Sequence, residues 1–359
     1  MDVVSLLIKP ASGQCNSSCQ YCFYDDLLKE KIKPVHSLMS TTTLEAVIKK
    51  GMSLAKRCLI LSFQGGEPLL AGLDYFNNVI KLVNMQKSNL EVKYAIQTNG
   101  LLLDEKWCSF LKNNHFLVGL SLDGPQEVHN KNRQNFNQVF SKIKLLKQYH
   151  IEFSILSVVT KNNYFDIKKT YTFFKENDLR FLQFIPCLPL YNEKLNDKFT
   201  LNNEEYFWFL DNLFTLWSKD IVSKEPISIR YFDNLVGLLL NIPTNLCDLN
   251  NGCGNTLVIE ANGDVYPCDF YVEKKYLLGN INDSPLQEIY NNPLLAQFKK
   301  QAQAALECKT CLYYFLCYGG CQRYRNNSYV YCKAIKKFLN KKKADLNKIR
   351  QYFLNTNAN

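Results

Sequence analysis

The chain has 359 residues, 47% of them apolar and 13% aromatic, with 43 basic against 33 acidic side chains and 14 cysteines. This length and apolar content fit one large or two unequal folded domains and exclude a disordered or low-complexity chain. No apolar run nears the roughly 20 residues a membrane-spanning helix needs; the best candidate is Leu235-Val236-Gly237-Leu238-Leu239-Leu240. The first ten residues carry an acid and no small-residue cleavage site, unlike a signal peptide. A soluble cytoplasmic protein with no membrane partner is expected.

In chain order, Val3 to Ile8 reads as a strand, followed by a loop holding Cys15, Cys19 and Cys22. Thr41 to Lys56 reads as a helix with hydroxyl residues available to cap it. Leu59 to Phe63 is a strand ending in Gln64-Gly65-Gly66-Glu67-Pro68, and Tyr75 to Met85 is helical. Val92 to Gln97 is a strand ending in Thr98-Asn99-Gly100. Helix Asp104 to Lys112 leads to strand Phe116 to Leu122, which ends in Asp123-Gly124-Pro125. Two more pairs follow: helix Phe136 to Tyr149 with strand Phe153 to Val159, then helix Phe165 to Lys175 with strand Phe181 to Ile185.

Six strands with helices between them imply a parallel sheet with right-handed crossovers, hence an α/β fold. Six units fall short of the eight of a closed barrel, so a partial (β/α)6 barrel is preferred to a doubly wound sheet. In either architecture ligands gather at the carboxyl ends of the strands. Those ends hold the cysteine loop, Gly65-Gly66-Glu67, Asn99-Gly100 and Asp123-Gly124.

Past residue 190 the pattern changes. Asn203 to Ser218 and Phe232 to Leu240 look helical, and a hairpin with an Asn262-Gly263 turn follows among closely spaced cysteines. A boundary near residue 240 divides the chain into a barrel over 1–240 and a cysteine-rich domain over 241–335. A basic C-terminal helix and tail occupy 336–359. Lys333 to Arg350 has eight basic residues against Asp345 alone. With Ile335, Phe338, Leu339, Leu346 and Ile349 on one face and lysines on the other, it reads as a surface helix, and no nucleic-acid partner is expected.

Fourteen thiols in a reducing compartment point to metal before disulfides. Cys15, Cys19 and Cys22 are enough to bind three irons of a four-iron cube and leave the fourth open. A structural zinc site would need a fourth ligand, and the nearby His36 lacks the usual spacing to the cysteines. Cys247, Cys253 and Cys268, with Cys308, Cys311, Cys317, Cys321 and Cys332, supply eight more thiols, enough for two fully ligated cubes or for zinc sites. Of the isolated Cys58, Cys108 and Cys187, the first two read as buried small hydrophobes.

Cys15-x3-Cys19-x2-Cys22 after the first strand, with Gly65-Gly66-Glu67-Pro68 after the second, resembles the radical S-adenosylmethionine (radical SAM) enzymes. Cys308-x2-Cys311-x5-Cys317-x3-Cys321 resembles the SPASM extension, which holds two auxiliary 4Fe–4S clusters. Finer features look like the anaerobic sulfatase-maturating enzymes: Phe23-Tyr24, Ser62-Phe63-Gln64, Ser121-Leu122-Asp123-Gly124-Pro125, His129 with Arg133, and Tyr266-Pro267-Cys268-Asp269-Phe270. The likeness runs from about residue 5 to residue 335.

The resemblance implies three 4Fe–4S clusters and S-adenosylmethionine as cofactors. Reductive cleavage of S-adenosylmethionine would give a 5′-deoxyadenosyl radical that takes a hydrogen atom from the β-carbon of a Cys or Ser in an unfolded sulfatase. The product would be Cα-formylglycine in a Cys/Ser-x-Pro/Ala-x-Arg segment, with flavodoxin or ferredoxin as electron donor.

Carried over by motif, Cys15, Cys19 and Cys22 hold the catalytic cluster. Tyr21, Gln64, Gly65, Gly66, Glu67, Ser121 and Arg133 bind the cofactor, and Tyr24 and Gln64 line the substrate pocket. Asp269 is the general base. Cys247, Cys253, Cys268 and Cys321 ligate one auxiliary cluster, and Cys308, Cys311, Cys317 and Cys332 the other. The interval from Cys321 to Cys332 is short for the family, so Cys332 is where the chain departs from the family's spacing. Two rivals stay open: another SPASM peptide modifier forming thioether or carbon–carbon crosslinks, and a zinc-stabilised binding protein.

Overall fold

Alternation in the first strand is the simplest cause of the architecture. Val4, Leu6 and Ile8 point one way and are fully buried, and Val3, Ser5 and Leu7 point the other, the two-residue period of a strand between unequal environments. The computed structural model describes residues 1–24, 38–86, 89–189, 198–223, 226–250 and 252–356. His36 and the tail 357–359 lie outside the described residues.

The elements, in chain order, begin with β1 (Val3–Ile8), α1 (Thr41–Leu54), β2 (Cys58–Phe63), α2 (Gly72–Met85), β3 (Glu91–Thr98), α3 (Glu105–Asn113) and β4 (Phe116–Ser121). Next come α4 (Gln126–His129), α5 (Phe136–Gln148), β5 (Phe153–Val159), α6 (Ile167–Glu176), β6 (Phe181–Pro186), α7 (Asn203–Asp220), β7 (Ser228–Ile229) and α8 (Arg230–Leu239). The remainder holds β8 (Thr256–Ile259), β9 (Asp264–Tyr266), β10 (Gly279–Asn280), α9 (Leu286–Tyr290), α10 (Pro293–Gln301), α11 (Tyr314–Cys317), β11 (Arg325–Asn326), β12 (Ser328–Tyr329) and α12 (Cys332–Thr356).

These elements form two compact units, each drawn from three stretches of chain. The first takes Met1–Ser121, Asn135–Phe153 and Gly254–Lys300; the second takes Leu122–Gln134, Ser154–Cys253 and Gln301–Asn359.

In the first unit the strands lie in the order β10-β9-β8-β1-β2-β3-β4. From β8 to β4 neighbours are parallel, with Ile8 opposite Phe63 and Ile259, Phe63 opposite Ile96, and Thr98 opposite Leu120. That register brings the carboxyl ends of β1, β2, β3 and β4 to one edge, so the loops following them share it. Ser40 caps α1 by accepting from the Thr43 N–H at 3.1 Å, and Asp104 caps α3 by accepting from the Trp107 N–H at 2.8 Å. Beneath the helices Phe63, Phe76 and Trp107 pack edge to face, with ring centroids 5.0 and 5.3 Å apart.

The predicted hairpin around Asn262-Gly263 is present as β8 and β9. Sequence reasoning did not anticipate that β8 pairs parallel with β1 and extends the barrel sheet.

In the second unit β5, β6 and β7 are parallel in that order. Helix α7 opens with a reciprocal capping box between Asn202 and Glu205. It packs on α12 through Phe214 and Phe338, 5.5 Å apart. The predicted apolar face of α12 is buried, from Ile335 to Ile349. As predicted, the other face is solvated: Lys333, Lys336, Lys337, Lys341, Lys343 and Lys348 are exposed, with Lys337 pairing to Glu204 and Lys341 to Asp211 on α7. The exception is the buried Lys342, which also pairs with Asp211. Cys58, Cys108 and Cys187 are buried. Among the described residues no helix is long and apolar enough to cross a membrane.

Candidate active site

The turn after β2 is built for close backbone approach. Gly65 and Gly66 have φ of +96° and +48°, where a β-carbon is strained. A β-carbon on Gly66 would stand 2.0 Å from the Gln14 carbonyl oxygen. The Glu67 N–H donates to that same oxygen at 2.7 Å, so this turn and the cysteine loop are held against one another.

Glu67 is fully buried. Its Oε1 accepts from the Leu69 N–H at 3.0 Å and the Thr98 hydroxyl at 2.8 Å, and its Oε2 accepts from the Asn99 N–H at 2.8 Å. Burial pushes its pKa up to about 7, with the three donors opposing the rise. A carboxylate offers about four lone-pair positions, so one remains for a further donor. Asn99 continues the contact: its side chain donates to Asn16 Oδ1 at 2.8 Å and to the Cys15 thiol at 3.6 Å.

A second cluster surrounds Asp269. Its Oδ2 accepts from the Tyr24 hydroxyl at 2.5 Å and from Gln64 Nε2 at 3.2 Å. Lys9 Nζ lies 2.8 Å from Asp269 Oδ1 and 2.8 Å from Glu260 Oε1, and 4.4 Å above the Tyr24 ring. Glu260 Oε2 accepts from the Ser12 hydroxyl at 2.5 Å. Phe23, beside Cys22, meets Phe270 edge to face at 5.2 Å. Of these, sequence reasoning named Tyr24, Gln64 and Asp269 and missed Lys9, Ser12 and Glu260, isolated polar residues that match no motif.

Tyr21 is buried in the same unit. Ser121 ends β4, nearly buried, and accepts from Gln97 Nε2 at 3.0 Å. Arg133 belongs to the second unit, where its Nε lies 3.3 Å from Asp123 Oδ2. Asp123 Oδ1 accepts from the Val158 N–H. The Asp123 N–H points at His129 Nδ1, which leaves Nε2 to donate to the Gln134 carbonyl. Burial lowers the His129 pKa, consistent with a neutral ring.

The thiols fall into groups. As thiolates Cys19 and Cys22 would each repel Cys15. In the second unit Cys308, Cys311, Cys317 and Cys332 line one cavity of about 50 Å³, so Cys332 sits with the other three. Burial pushes Cys317 up to about 11, and those three neighbours add to the rise. Burial likewise pushes Cys321 up to about 12, with Cys247 and Cys253 contributing. Cys268 belongs to the first unit, directly before Asp269.

Arg325, unremarked in the sequence, braces the second unit's cysteine loops. Its guanidinium donates to the carbonyls of Gly319, Ala302, Gln303 and Gly320 at 2.9, 2.7, 2.9 and 2.5 Å.

These donor sets suit iron–sulfur clusters. Mutually repelling thiols grouped around a loop or a cavity are relieved by cationic iron, and thiolate is the ligand such clusters use. Among the described residues no three His, Cys, Asp or Glu side chains close on a single metal ion. The sulfurs around a four-iron cube bind separate irons and need no such convergence.

Comparison with known proteins agrees. The Radical SAM superfamily model matches residues 10–174, and an iron–sulfur cluster-binding (SPASM) domain model matches 247–312. Fold and motifs thus define a radical SAM enzyme, an α/β partial barrel with a C-terminal SPASM domain. The chain is 42% identical to the cysteine-type anaerobic sulfatase-maturating enzyme of Clostridium perfringens (strain 13), over 94% of this chain and 96% of that protein. Identity to the serine-type enzyme of Bacteroides thetaiotaomicron is 31%, over 89% of this chain and 83% of the other. The solved structure of native anSMEcpe with bound AdoMet (S-adenosylmethionine) and Cp18Cys peptide has a TM-score of 0.91 at 40% identity, covering 97% of this chain and 99% of that one. The chain belongs to the family of anaerobic sulfatase-maturating enzymes. The two family models imply S-adenosylmethionine and iron–sulfur clusters as its cofactors.

Proposed function

We propose that this chain oxidises a target cysteine in an unfolded sulfatase segment to Cα-formylglycine. The observation that carries the reading is the buried Asp269 carboxylate, with the Tyr24 hydroxyl and Gln64 amide on one oxygen, in the same unit as the thiols of Cys15, Cys19 and Cys22. Cysteine over serine is supported by 42% identity to a cysteine-type relative against 31% to a serine-type one. The proposed target is a peptide carrying Cys-x-Pro-x-Arg.

Reduced cluster and S-adenosylmethionine together supply a carbon-centred hydrogen-atom acceptor. The chain's own residues do the rest. Cys15, Cys19 and Cys22 ligate the catalytic cluster. Gly65 and Gly66 would let backbone approach the cofactor, Glu67 would offer its remaining lone pair to the methionine ammonium, and Tyr21, Gln64 and Ser121 would line that site. By its family motif Arg133 is also assigned to the cofactor. Tyr24 and Gln64 position the target side chain, and Asp269 accepts the thiol proton within hydrogen-bond reach. Loss of the β-hydrogen atom, that proton and one further electron, taken by an oxidised auxiliary cluster, would leave a thioaldehyde that water hydrolyses to the aldehyde with release of hydrogen sulfide.

Cys247, Cys253, Cys268 and Cys321 ligate one auxiliary cluster; Cys308, Cys311, Cys317 and Cys332 ligate the second. The barrel spans 1–240, the auxiliary-cluster domain 241–335 and the basic helix and tail 336–359. A flavodoxin or ferredoxin supplies the electrons.

The test is anaerobic incubation of reduced enzyme with S-adenosylmethionine and Cys- or Ser-x-Pro-x-Arg peptides, read by mass spectrometry. Formylglycine from the cysteine peptide at the higher rate is expected. A crosslinked product, or no change in either peptide, refutes the reading.

A further inference from the structure

Lys9 is the largest charged side chain in the buried core of the first unit, 1% exposed, and the roles proposed above do not use it. Removing an ammonium from water costs several kcal/mol unless close partners compensate, and apolar side chains of similar volume usually hold a core as well or better. The β1–β8 ladder is already held by backbone bonds, including the Lys9 N–H to the Ile259 carbonyl at 2.9 Å. Stability alone therefore leaves the buried charge unexplained.

The geometry supplies a reason. From one end to the other the contacts form a single line: the Ala261 N–H donates to Ser12 Oγ at 3.2 Å, and the Ser12 hydroxyl donates to Glu260 Oε2 at 2.5 Å. Glu260 Oε1 and Asp269 Oδ1 then grip the Lys9 ammonium from either side at 2.8 Å each. Asp269 Oδ2 is left for Tyr24 and Gln64. Asp269 itself starts a single 3-10 turn, Asp269–Tyr271, too short to fix a side chain's direction. The strand ends carrying Lys9 and Glu260 are fixed by the sheet.

The Gly65 turn makes room for this line, because a β-carbon there would stand 2.7 Å from Lys9 Cγ. Desolvation alone would lower the Lys9 pKa; Asp269 and Glu260 outweigh it and hold the pKa above the ordinary lysine value, so the clamp stays charged.

We propose that Lys9, held by Glu260 and Ser12, is a positioning residue that fixes Asp269 so that Oδ2 meets the target side chain. Misplacing a reacting group by about 1 Å costs roughly 100-fold, and a general base contributes about 100-fold or more. The inference rests on Asp269 being the proton acceptor.

The experiment compares wild type, Lys9→Met, Glu260→Gln, Ser12→Ala and Asp269→Asn anaerobically with S-adenosylmethionine and a Cys-x-Pro-x-Arg peptide. Bound iron, 5′-deoxyadenosine, formylglycine and the peptide KM are measured. Lys9→Met is expected to keep its iron and release 5′-deoxyadenosine within about twofold of wild type at an unchanged KM. Its formylglycine per 5′-deoxyadenosine should fall about 10- to 100-fold, with smaller falls for Glu260→Gln and Ser12→Ala.

Coupling within about twofold of wild type in Lys9→Met overturns the proposal. So does a parallel loss of iron, cofactor cleavage and product, which marks a structural role. Should Lys9→Met not fold, lowered coupling in Ser12→Ala and Glu260→Gln supports the proposal and unchanged coupling in both overturns it. Failure of the underlying reading looks different: wild type makes no formylglycine, or Asp269→Asn stays fully coupled, and either result removes the Lys9 inference with it.

Discussion

Glu67 shows how one buried side chain ties together loops that lie far apart in sequence. Its two oxygens join the turn after β2 to the end of β3, while its N–H reaches the cysteine loop. The folded pKa of about 7 stands above the ordinary glutamate value of 4.5. Between those values the folded chain binds the proton more tightly than the unfolded chain does. Stability from this group is therefore present at pH 4.5 and lost as the pH rises toward 7, by on the order of 3 kcal/mol for the full shift. Urea unfolding under anaerobic conditions should show wild type losing midpoint from pH 5 to 7 relative to Glu67→Gln, which lacks the titration. An identical pH dependence in both proteins contradicts this account. The sequence identified Glu67 through its neighbours Gly65 and Gly66. It was silent on Lys9, Ser12 and Glu260, because a buried ion pair between distant residues leaves no local pattern to read.

Among the elements, legibility followed local periodicity. Strands β1 and β5 match the predicted ranges, and the helices predicted up to α8 differ only by a few residues at their ends, where caps and short 3-10 turns decide. By contrast, α4, α9, α10 and α11 had no predicted counterpart. The β8–β1 pairing was not legible: four residues, Thr256 to Ile259, carry no signal for a partner strand so far away in sequence. The segment between α10 and α12 is a contrasting case. It contains one-turn helices and two-residue strands, so its backbone relies on side chains and thiols for definition. Tyr318, Gly319 and Gly320 are all left-handed, with φ of 46°, 76° and 66°, and the Arg325 guanidinium holds the carbonyls around them. Arg325→Lys cannot reproduce a planar fork of donors. Its loss of several charged hydrogen bonds should destabilise this segment by about 3 kcal/mol. Purified anaerobically, Arg325→Lys should contain less iron than wild type while still releasing 5′-deoxyadenosine. Full iron content would show that the thiols alone hold the loops.

At the scale of the whole molecule, each unit has its own apolar core, and thiols proposed as cluster ligands occur in both. Metal binding and folding should therefore be coupled, most strongly where secondary structure is sparse. Anaerobically purified protein should hold about twelve irons, three cubes of four. Chelation under reducing conditions should lower the thermal midpoint and open residues 302–331 to protease before α12 is cut. Simultaneous cleavage throughout would show that the clusters support both units equally.

Because β8 closes one side of β1, the order of synthesis acquires a cost. Roughly 250 residues separate the two strands, which at about 5–20 residues per second is on the order of 10 s to a minute of translation. For that interval the nascent chain presents an unpaired edge to its neighbours. The first cysteine loop has by then left the ribosome, well before the lysine clamp at its side can form. A cluster delivered during synthesis would meet a polypeptide whose first strand still lacks its β8 partner.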